Sequence, residues 1–316
     1  MPTKLSPATA IDLEACTGCG SCVRVCPDDT LAVRDGKARV VGPDCLGCDH
    51  CAAVCPAGAI VVRHVDPGAQ RLETIPDADR MVQPGSADAG ALVSLMRSRR
   101  SCRNFLPRPV PEALLRDLAR VGQSAPSGTN SQRWRFTVLP TRREVLALGE
   151  ATARFFEALN RKSESAALRL VARVFLDDAL GAYHREYHDK VAAALREFRA
   201  GGRERLFHGA PAALLVGSAR GASCPMEDAL LATQNVLLVA HAVGLGSCLV
   251  GFVVEALRRD RRVAEAIAVP AGERIHAVIA LGYPDERYAR PAGRRSVPPR
   301  VFSRQSRGPA APAARR

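Results

Sequence analysis

Hydrophobic residues recur at helical spacing in several stretches of the chain beyond residue 90. Ala91–Arg99 is predicted to form a short amphipathic helix with its apolar side chains on one face. A second helix is predicted to begin at Pro111, which suits a first helical position, and to end near Gly122. Met226–Val243 is apolar on nearly every face, which predicts a central buried helix.

Apolar runs of strand length alternate with these helices. Ala212–Val216 is apolar throughout, as suits a buried strand. The predicted strands are Trp134–Leu139, Ala212–Val216 and Arg274–Leu281. The remaining predicted elements are helical stretches over Arg142–Ala200 and Val254–Ala268, and a tight glycine-bounded loop over Gly246–Gly251.

The first 65 residues have shorter apolar runs and many turn residues. Strands are predicted over Ala38–Val41 and Ile60–Val65, and Asp35-Gly36 predicts a hairpin turn. Residues 66–90 are rich in Pro, Gly, Asp and Ala without clear periodicity, which predicts a linker. We therefore expect a small domain over 1–65, a linker over 66–90, a larger domain over 91–302 and a disordered tail over 303–316.

The net charge of +13 comes almost entirely from arginine, since only four of the 45 basic residues are lysines. The arginines are scattered rather than massed among aromatic side chains, so we expect no binding to nucleic acid. The positive charge instead favours a surface that binds an acidic electron-carrier protein.

No apolar run approaches the roughly 20 residues that span a bilayer, so we expect no membrane association. Met1–Ile11 lacks an apolar stretch long enough for a signal peptide, so we expect a cytoplasmic protein. In that reducing compartment, ligation of a metal or cluster by cysteine is favoured over disulfides.

Eight of the eleven cysteines follow one spacing that occurs twice, C-x2-C-x2-C-x3-C before proline. The first run is Cys16, Cys19, Cys22 and Cys26, and the second is Cys45, Cys48, Cys51 and Cys55. The repeat length, from Cys16 to Cys45, is 29 residues. The first 55 residues or so thus resemble the bacterial two-cluster ferredoxins.

In such ferredoxins the fourth cysteine of each run ligates the other cluster. The resemblance implies one [4Fe–4S] cluster on Cys16, Cys19, Cys22 and Cys55, and another on Cys45, Cys48, Cys51 and Cys26. Structural zinc also takes four cysteines, but it has no preference for the third C-x2-C step or the Cys-Pro ending, so clusters are favoured. The remaining Cys102, Cys224 and Cys248 are expected to be small buried side chains rather than catalytic thiols.

A cluster passes one electron at a time, whereas most organic reductions need two, so a flavin is its natural partner. Arg99, Arg100 and Arg103 lie with Ser101 at a predicted helix end, and the guanidinium fork can bind two phosphate oxygens at once. Taken alone, this segment favours a solvated basic helix terminus, stabilised by the helix dipole, over a phosphate site. The polar loop over 126–132 could likewise be an ordinary surface loop.

Four segments taken in order resemble the nitroreductase family over roughly residues 90–302. They are Arg99-Arg100-Ser101-x-Arg103-x-Phe105, Pro126-Ser127-Gly128-Thr129-Asn130-Ser131-Gln132-x-Trp134, Gly244-Leu245-Gly246-Ser247-x4-Gly251-Phe252, and Leu281-Gly282-Tyr283-Pro284 with Arg294 and Arg295. Residues 145–205 match only as a variable helical insertion, and Arg133 stands where many members have proline. An N-terminal two-cluster ferredoxin module is a recognised arrangement in this family.

The resemblance implies an α+β protein in which a small ferredoxin-like domain precedes an α/β/α domain with a central, mainly antiparallel sheet. It also implies FMN at the interface of an intertwined homodimer. The cofactor-binding residues implied by position are Arg99, Arg100, Ser101 and Arg103 at the phosphate and ring edge, Pro126, Ser127, Gly128 and Asn130 from the partner subunit, Leu249, Val250 and Gly251 along the ring, and Arg294 or Arg295 at the phosphate. No catalytic side chain is assigned, because the flavin and water can supply protons; the side chains of Tyr183, His184, Tyr187, His188 and His208 are expected on the surface or in packing.

We therefore expect an FMN-dependent oxidoreductase whose electrons pass through two built-in clusters to FMN and on to a small electron-poor acceptor, such as a nitro, quinone or enone compound. Ferredoxin and NAD(P)H are the candidate donors. Two alternatives stay open: a flavin dehydrogenase that sends substrate electrons out through the clusters, and a non-enzymatic iron–sulfur carrier or redox sensor.

Overall fold

The structure is a computed structural model that describes residues 9–63, 65–66, 68–76, 81–175 and 177–302. The predicted tail at 303–316 lies outside the described residues.

The N-terminal domain consists of two antiparallel strand pairs and two short helices that carry cysteines. Its elements are β1 (Thr9–Ile11), α1 (Ser21–Arg24), β2 (Leu31–Arg34), β3 (Lys37–Val40), α2 (His50–Ala53) and β4 (Ile60–Val62). Strand β1 pairs with β4, and β2 pairs with β3. The predicted hairpin turn is confirmed, since Asp35 and Gly36 both have the positive φ (51° and 72°) that a tight two-residue turn requires.

In the described residues of the larger domain, helices are interspersed along the chain with four strands that form a single sheet. Its helices are α3 (Ala89–Ser98), α4 (Glu112–Gly122), α5 (Arg142–Glu164), α6 (Ala166–Phe175), α7 (Ala179–Glu186), α8 (His188–Arg199), α9 (Pro225–Ala242), α10 (Gly251–Arg259) and α11 (Arg261–Glu265), with a 3-10 turn at Gly128–Asn130. Its strands are β5 (Trp134–Leu139), β6 (Ala212–Ala219), β7 (Gly246–Leu249) and β8 (Glu273–Gly282).

This sheet is covered by helices on both faces. Its strands lie in the order β5-β6-β8-β7, and each neighbouring pair is antiparallel. Successive side chains of a strand point to opposite faces, so Leu214 packs in the cluster with α4 and α9, whereas Leu215 packs with α5, α10 and α11. The predicted α+β class, with α/β/α layers around a mainly antiparallel sheet, is confirmed.

Three predicted elements need correction. The loop predicted over Gly246–Gly251 is wrong, because Gly246–Leu249 forms the edge strand β7; four residues behind a glycine are too few for an alternation to be recognised. The helical stretch Arg142–Ala200 is divided into α5, α6, α7 and α8. Strand β4 ends at Val62, three residues earlier than predicted.

Helix α9 also differs from its prediction as a fully buried helix. One face is buried against the sheet, but Met226, Leu230 and Leu231 are 44–53% exposed. Helix α3, which packs against α9, exposes Leu92 and Met96 to a similar degree. These apolar faces therefore have no cover from the described part of this chain. None of the helices in the described ranges has both the length and the apolar character needed to cross a bilayer.

One carboxylate ties the predicted linker to the larger domain. Asp117 of α4 is fully buried, and its oxygens accept hydrogen bonds from the backbone N–H groups of Glu73, Thr74 and Ile75 at 2.6 to 3.2 Å. Arg120 pairs with the same carboxylate at 2.9 Å. Burial alone would raise the pKa of Asp117, but these hydrogen bonds lower it to about 2. This part of the linker is therefore fixed to α4.

Candidate functional site

Each predicted set of four cysteines surrounds one small cavity. Cys16, Cys19, Cys22 and Cys55 line the first cavity, and Cys26, Cys45, Cys48 and Cys51 line the second. The fourth cysteine of each run thus lies beside the first three of the other run. In the described residues, no three His, Cys, Asp or Glu side chains converge closely enough to hold a single metal ion. The eight cysteines are thus grouped into the two sets that the family resemblance implies.

Backbone N–H groups point at several of these sulfurs. Thr30 donates to Cys26 Sγ and Ala59 donates to Cys55 Sγ, both at 3.3 Å, and these pairs are related by the 29-residue repeat. The N–H of Ala38 donates to the Sγ of Cys16 at 3.4 Å, and hydrogen bonds from backbone groups lower the pKa of that thiol. Donors of this kind stabilise thiolates, the form that ligates iron.

The predicted arginine segment runs along the exposed edge of β7. Ser101 forms a parallel bridge with Ser247, and the N–H of Cys102 donates to the Ser247 carbonyl at 2.9 Å. Close packing needs a glycine at Gly246, since a Cβ there would lie 2.8 Å from the Cys102 side chain. The hydroxyl of Ser247 is buried and has no hydrogen-bond partner among the described residues. The backbone hydrogen bond to Ser247 and the close packing at Gly246 together hold this segment against the sheet.

Arg99 is a half-buried cation beside other cations. Burial lowers the pKa of Arg99, and the nearby charge of Arg294 lowers it further. No carboxylate forms an ion pair with either guanidinium in the part of the chain that the structure describes. Burial, and then the charge of Arg99, also lower the pKa of His241 near the C-terminal end of α9. Such a group of mutually repelling cations is stabilised by a bound anion.

The other predicted phosphate-side residues have different neighbours. The Arg100 guanidinium lies 4.9 Å from the ring centre of Tyr288, a cation–π contact that the sequence did not reveal. The Arg103 backbone lies near Glu286, and its side chain is exposed. Arg294 and Arg295 are both exposed, and of the two it is the charge of Arg294 that lowers the pKa of Arg99 in the described residues.

The loop over 126–132 is shaped by a buried carboxylate at the start of α9. The N–H of Gly128 donates to Asp228 Oδ1 at 2.8 Å, and the indole of Trp134 donates to the Asp228 carbonyl at 3.2 Å. Thr129, Asn130 and Gln132 of this loop have positive φ values of 47–51°, which non-glycine residues rarely adopt. Asp228 was not predicted, because an acidic residue in a first helical turn is common without a site.

Asn130 reaches the cysteine module of its own chain. Its Nδ2 donates to the carbonyl oxygens of Leu46 at 3.1 Å and Gly47 at 3.0 Å. Both carbonyls lie between Cys45 and Cys48 of the second cysteine set. The loop that the family resemblance places at a flavin is thus in direct contact with the loop of one predicted cluster.

The two predicted halves of the flavin site lie at opposite ends of α9. Gly128 is bonded to Asp228 near its start, whereas Arg99 lies beside His241 near its end. Thirteen residues separate Asp228 from His241, which at about 1.5 Å per residue is roughly 20 Å. A single chain therefore holds the arginines and the 126–132 loop far apart.

The predicted ring-contacting segment begins at Leu249, the last residue of β7, and continues to Gly251. Leu249 is 49% exposed, and Gly251 opens α10, whose first N–H groups have no helical acceptor. The N–H of Val250 is already donated to the Val278 carbonyl at 2.9 Å. A free backbone donor for a bound ring is therefore available at Gly251 rather than at Val250.

The helical insertion encloses a cavity of about 360 Å³ between α5, α8 and α10. Phe156 and Phe252 meet edge to face in its wall, with their ring centres 5.4 Å apart, and Tyr187 packs against Phe252. The His188 ring bonds to Glu164 and Asp189, and hydrogen bonds to those carboxylates raise its pKa. The imidazole is thus held in surface ion pairs.

The three cysteines outside the two runs have unequal environments. Cys102 and Cys248 are buried, as expected, and burial raises the pKa of Cys102 to about 11. Cys224 is exposed, which corrects the prediction; it caps the start of α9 and packs against Gly128. Near Cys102 the carboxylate of Glu286 raises the thiol pKa further, which disfavours the thiolate.

Comparison with known proteins assigns each of the two domains to a protein family. Residues 96–283 match the Nitroreductase family, and residues 8–56 match the 4Fe-4S dicluster domain. A protein of Thermus thermophilus named NADH dehydrogenase is 34% identical over 60% of this chain and 84% of its own length. The 4-nitrobenzoate reductase of a Nocardioides species is 27% identical over 63% of this chain and 82% of its own length.

Among solved structures, a nitroreductase with bound FMN from Bacteroides fragilis is 20% identical, with a TM-score of 0.47 over 67% of this chain and 97% of that one. The family matches do not depend on this likeness. The chain belongs to the nitroreductase family of oxidoreductases and carries an N-terminal 4Fe-4S dicluster domain.

Proposed function

We propose that the protein is an FMN-dependent oxidoreductase of the nitroreductase type, with two [4Fe–4S] clusters that exchange electrons with the flavin. The observation that carries the proposal is the half-buried Arg99 guanidinium, which has the charge of Arg294 nearby and forms no ion pair with a carboxylate in the described residues. A flavin phosphate supplies the anion that these two arginines need, and each guanidinium can donate to it twice.

Different residues of the chain bind the phosphate end and the ring of the flavin. Arg99, Arg294 and the segment along β7 bind the phosphate end, while Leu249 and Gly251 lie along the ring. When bound, each cluster carries one electron, and FMN takes up two electrons and two protons before passing them to an electron-poor organic acceptor. The 4-nitrobenzoate reductase among the relatives supports a nitro compound as one such acceptor.

The acceptor class fits the aromatic cavity beside α10. Phe156, Tyr187 and Phe252 offer ring faces and edges to a flat electron-poor compound. Gly251, at the proposed flavin, immediately precedes Phe252 in this wall. A cavity of about 360 Å³ holds a small organic molecule.

The flavin site is completed by a second copy of the chain. The arginines and the 126–132 loop lie roughly 20 Å apart along α9, so one flavin contacts both sets when the loop comes from the partner subunit. The exposed apolar faces of α3 and α9 support such a homodimer, because water-exposed leucine and methionine are stabilised by burial at an interface.

Iron and flavin content of the anaerobically purified protein test the proposal. We expect about eight iron atoms and one FMN per chain, the content of two [4Fe–4S] clusters and one flavin. Flavin without iron would refute the cluster half of the proposal. Iron without flavin would refute the flavin half of the proposal and would favour a non-enzymatic iron–sulfur electron carrier.

A further inference from the structure

The two cysteine loops related by the repeat have different surroundings. Gly18 of the first loop faces inward, since a Cβ there would lie 2.0 Å from the Gly36 carbonyl oxygen. Among the described residues, no hydrogen bond joins Thr17 or Gly18 to the larger domain. The corresponding Leu46 and Gly47 both accept from Asn130. The larger domain thus binds the second loop of the module and not the first.

A second hydrogen bond orients the Asn130 side chain for this contact. Its Oδ1 accepts from Gln132 Nε2 at 3.1 Å, which fixes the carboxamide so that Nδ2 faces the two carbonyls. Asp228 anchors the same loop through Gly128. The unusual backbone of Thr129 and Asn130 is therefore stabilised from both sides.

The position of this contact along α9 decides which flavin the module faces. The loop lies at the Asp228 end, roughly 20 Å from the Arg99 end of the same helix. The second cysteine set is therefore docked away from its own chain's arginines. In the proposed homodimer, the same loop completes the flavin site whose arginines belong to the other copy.

We infer that Asn130 docks the second cysteine set of each subunit against the flavin held by the partner's Arg99 and the partner's Arg294. This inference rests on the proposed function and adds the route between its cofactors. Cys26, Cys45, Cys48 and Cys51 hold the inner cluster, and the set that includes the exposed Cys19 holds the outer one. Electrons then cross the subunit interface between cluster and flavin, one at a time.

The docking step is tested by hydrogen–deuterium exchange on the loaded protein. Asn130→Asp replaces both N–H donors with an oxygen that repels the Leu46 and Gly47 carbonyls. We expect amides over residues 45–49 to exchange about tenfold faster, while those over 16–20 are unchanged. Asn235→Ala is the matched control, because that exposed amide bonds only to Ser124 within the larger domain.

Unchanged exchange over 45–49 in Asn130→Asp would overturn the docking role. An equal rise in both cysteine loops would also overturn it, because it would show general loosening of the module. If Asn130→Asp does not fold, Asn130→Ala removes the same two donors without adding a charge.

The route between subunits is tested with a mixed dimer. One chain carries Arg99→Ala with intact cysteines, and the other carries Cys48→Ala with intact arginines. We expect one FMN per mixed dimer, bleached by reduced ferredoxin at close to the wild-type rate per flavin. Cys48→Ser, which keeps a ligating oxygen, serves as the second variant if Cys48→Ala does not fold.

A mixed dimer whose flavin bleaches no faster than that of the Cys48→Ala homodimer would overturn the inference, because the flavin would then depend on its own chain's cysteines. Failure of the proposed function is distinguishable from this result. It appears in the wild-type protein itself, as missing iron, missing FMN, or a flavin that reduced ferredoxin leaves oxidised.

Discussion

The Nδ2 atom of Asn130 lies 3.0 Å from the carbonyl oxygen of Gly47, so the larger domain touches the peptide between two predicted cluster ligands. A hydrogen bond between neutral groups contributes only about 1 kcal/mol. Its importance here is positional, because it joins the loop at the proposed flavin to the loop of one cluster.

The cation cluster at Arg99 predicts a selective loss of FMN. Arg99→Ala or Arg294→Ala removes charge-assisted hydrogen bonds to the phosphate, each worth about 1.5 to 3 kcal/mol, so FMN should bind at least about tenfold more weakly. Riboflavin, which lacks the phosphate, should bind with little change. Quenching of flavin fluorescence on binding measures both affinities.

Arg295→Ala is the matched control for that experiment, because this neighbouring arginine has no charge effect on the pKa of Arg99 in the described residues. We expect its FMN affinity to stay within about twofold of wild type. Equal losses at Arg294 and Arg295 would contradict the assignment of Arg294 to the phosphate.

The buried Asp117 predicts a pH-dependent contribution to stability. Its pKa of about 2 lies below the ordinary 3.8, so the folded state favours the ionised form. The stabilisation is complete above about pH 4, is worth about 2 kcal/mol, and is lost as the pH falls toward 2. Asp117→Asn should lower the free energy of unfolding at pH 7 by about 2 to 3 kcal/mol and remove this acid dependence.

Urea unfolding at several pH values measures that contribution. Glu112→Gln on the same helix is the control, because its ion pair with Arg116 is exposed and contributes little. If Asp117→Asn and Glu112→Gln were equally stable at pH 7, the linker would not be anchored as described.

The close packing at Gly246 predicts that one methyl group there disturbs the flavin site indirectly. Gly246→Ala would place a Cβ 2.8 Å from the Cys102 side chain and push the arginine segment away from β7. We expect a loss of about 1 to 3 kcal/mol in stability together with weaker FMN binding. Gly272→Ala is the control, because a Cβ there would lie in open space. We expect it to change neither the stability, measured by thermal unfolding, nor the affinity for FMN, measured by titration.

A charge placed on the exposed apolar face of α9 should abolish both dimer formation and FMN binding. Leu231→Glu places a charge on an apolar face that the homodimer would bury, so sedimentation should show monomers and FMN should dissociate. Val61→Glu is the control, since that exposed side chain lies in the cysteine module. A monomeric Leu231→Glu protein that retains FMN would contradict a flavin site shared between subunits.

Local patterns predicted much of the fold and the grouping of candidate residues. Trp134–Leu139 is a strand as its alternation predicts, and both cysteine sets surround cavities in the grouping that the resemblance to two-cluster ferredoxins implies. These features depend on neighbours in sequence or on a repeated spacing. The exposed face of α9 was predicted to be buried because apolar residues on nearly every face of a helix have the same pattern as a core helix.

The contacts that the sequence did not reveal join residues far apart in the chain. Asn130 and Gly47 are separated by 83 positions, and Asp117 and Thr74 by 43. A polar residue in a loop or on a helix has the same local pattern whether it faces water or a distant carbonyl. Strand β7 was missed for a similar reason, because pairing with β8 rather than its own alternation defines it.

Anaerobic reduction of the bound flavin tests the central claim most directly. NADH, NADPH and reduced ferredoxin are mixed in parallel with the wild-type protein and with Cys48→Ala, and the visible absorbance of the flavin is followed. We expect reduced ferredoxin to bleach the flavin of the wild-type protein and to bleach the flavin of Cys48→Ala far more slowly. A flavin that stays oxidised in the wild type, or that bleaches equally fast in both proteins, would contradict clusters that exchange electrons with the flavin.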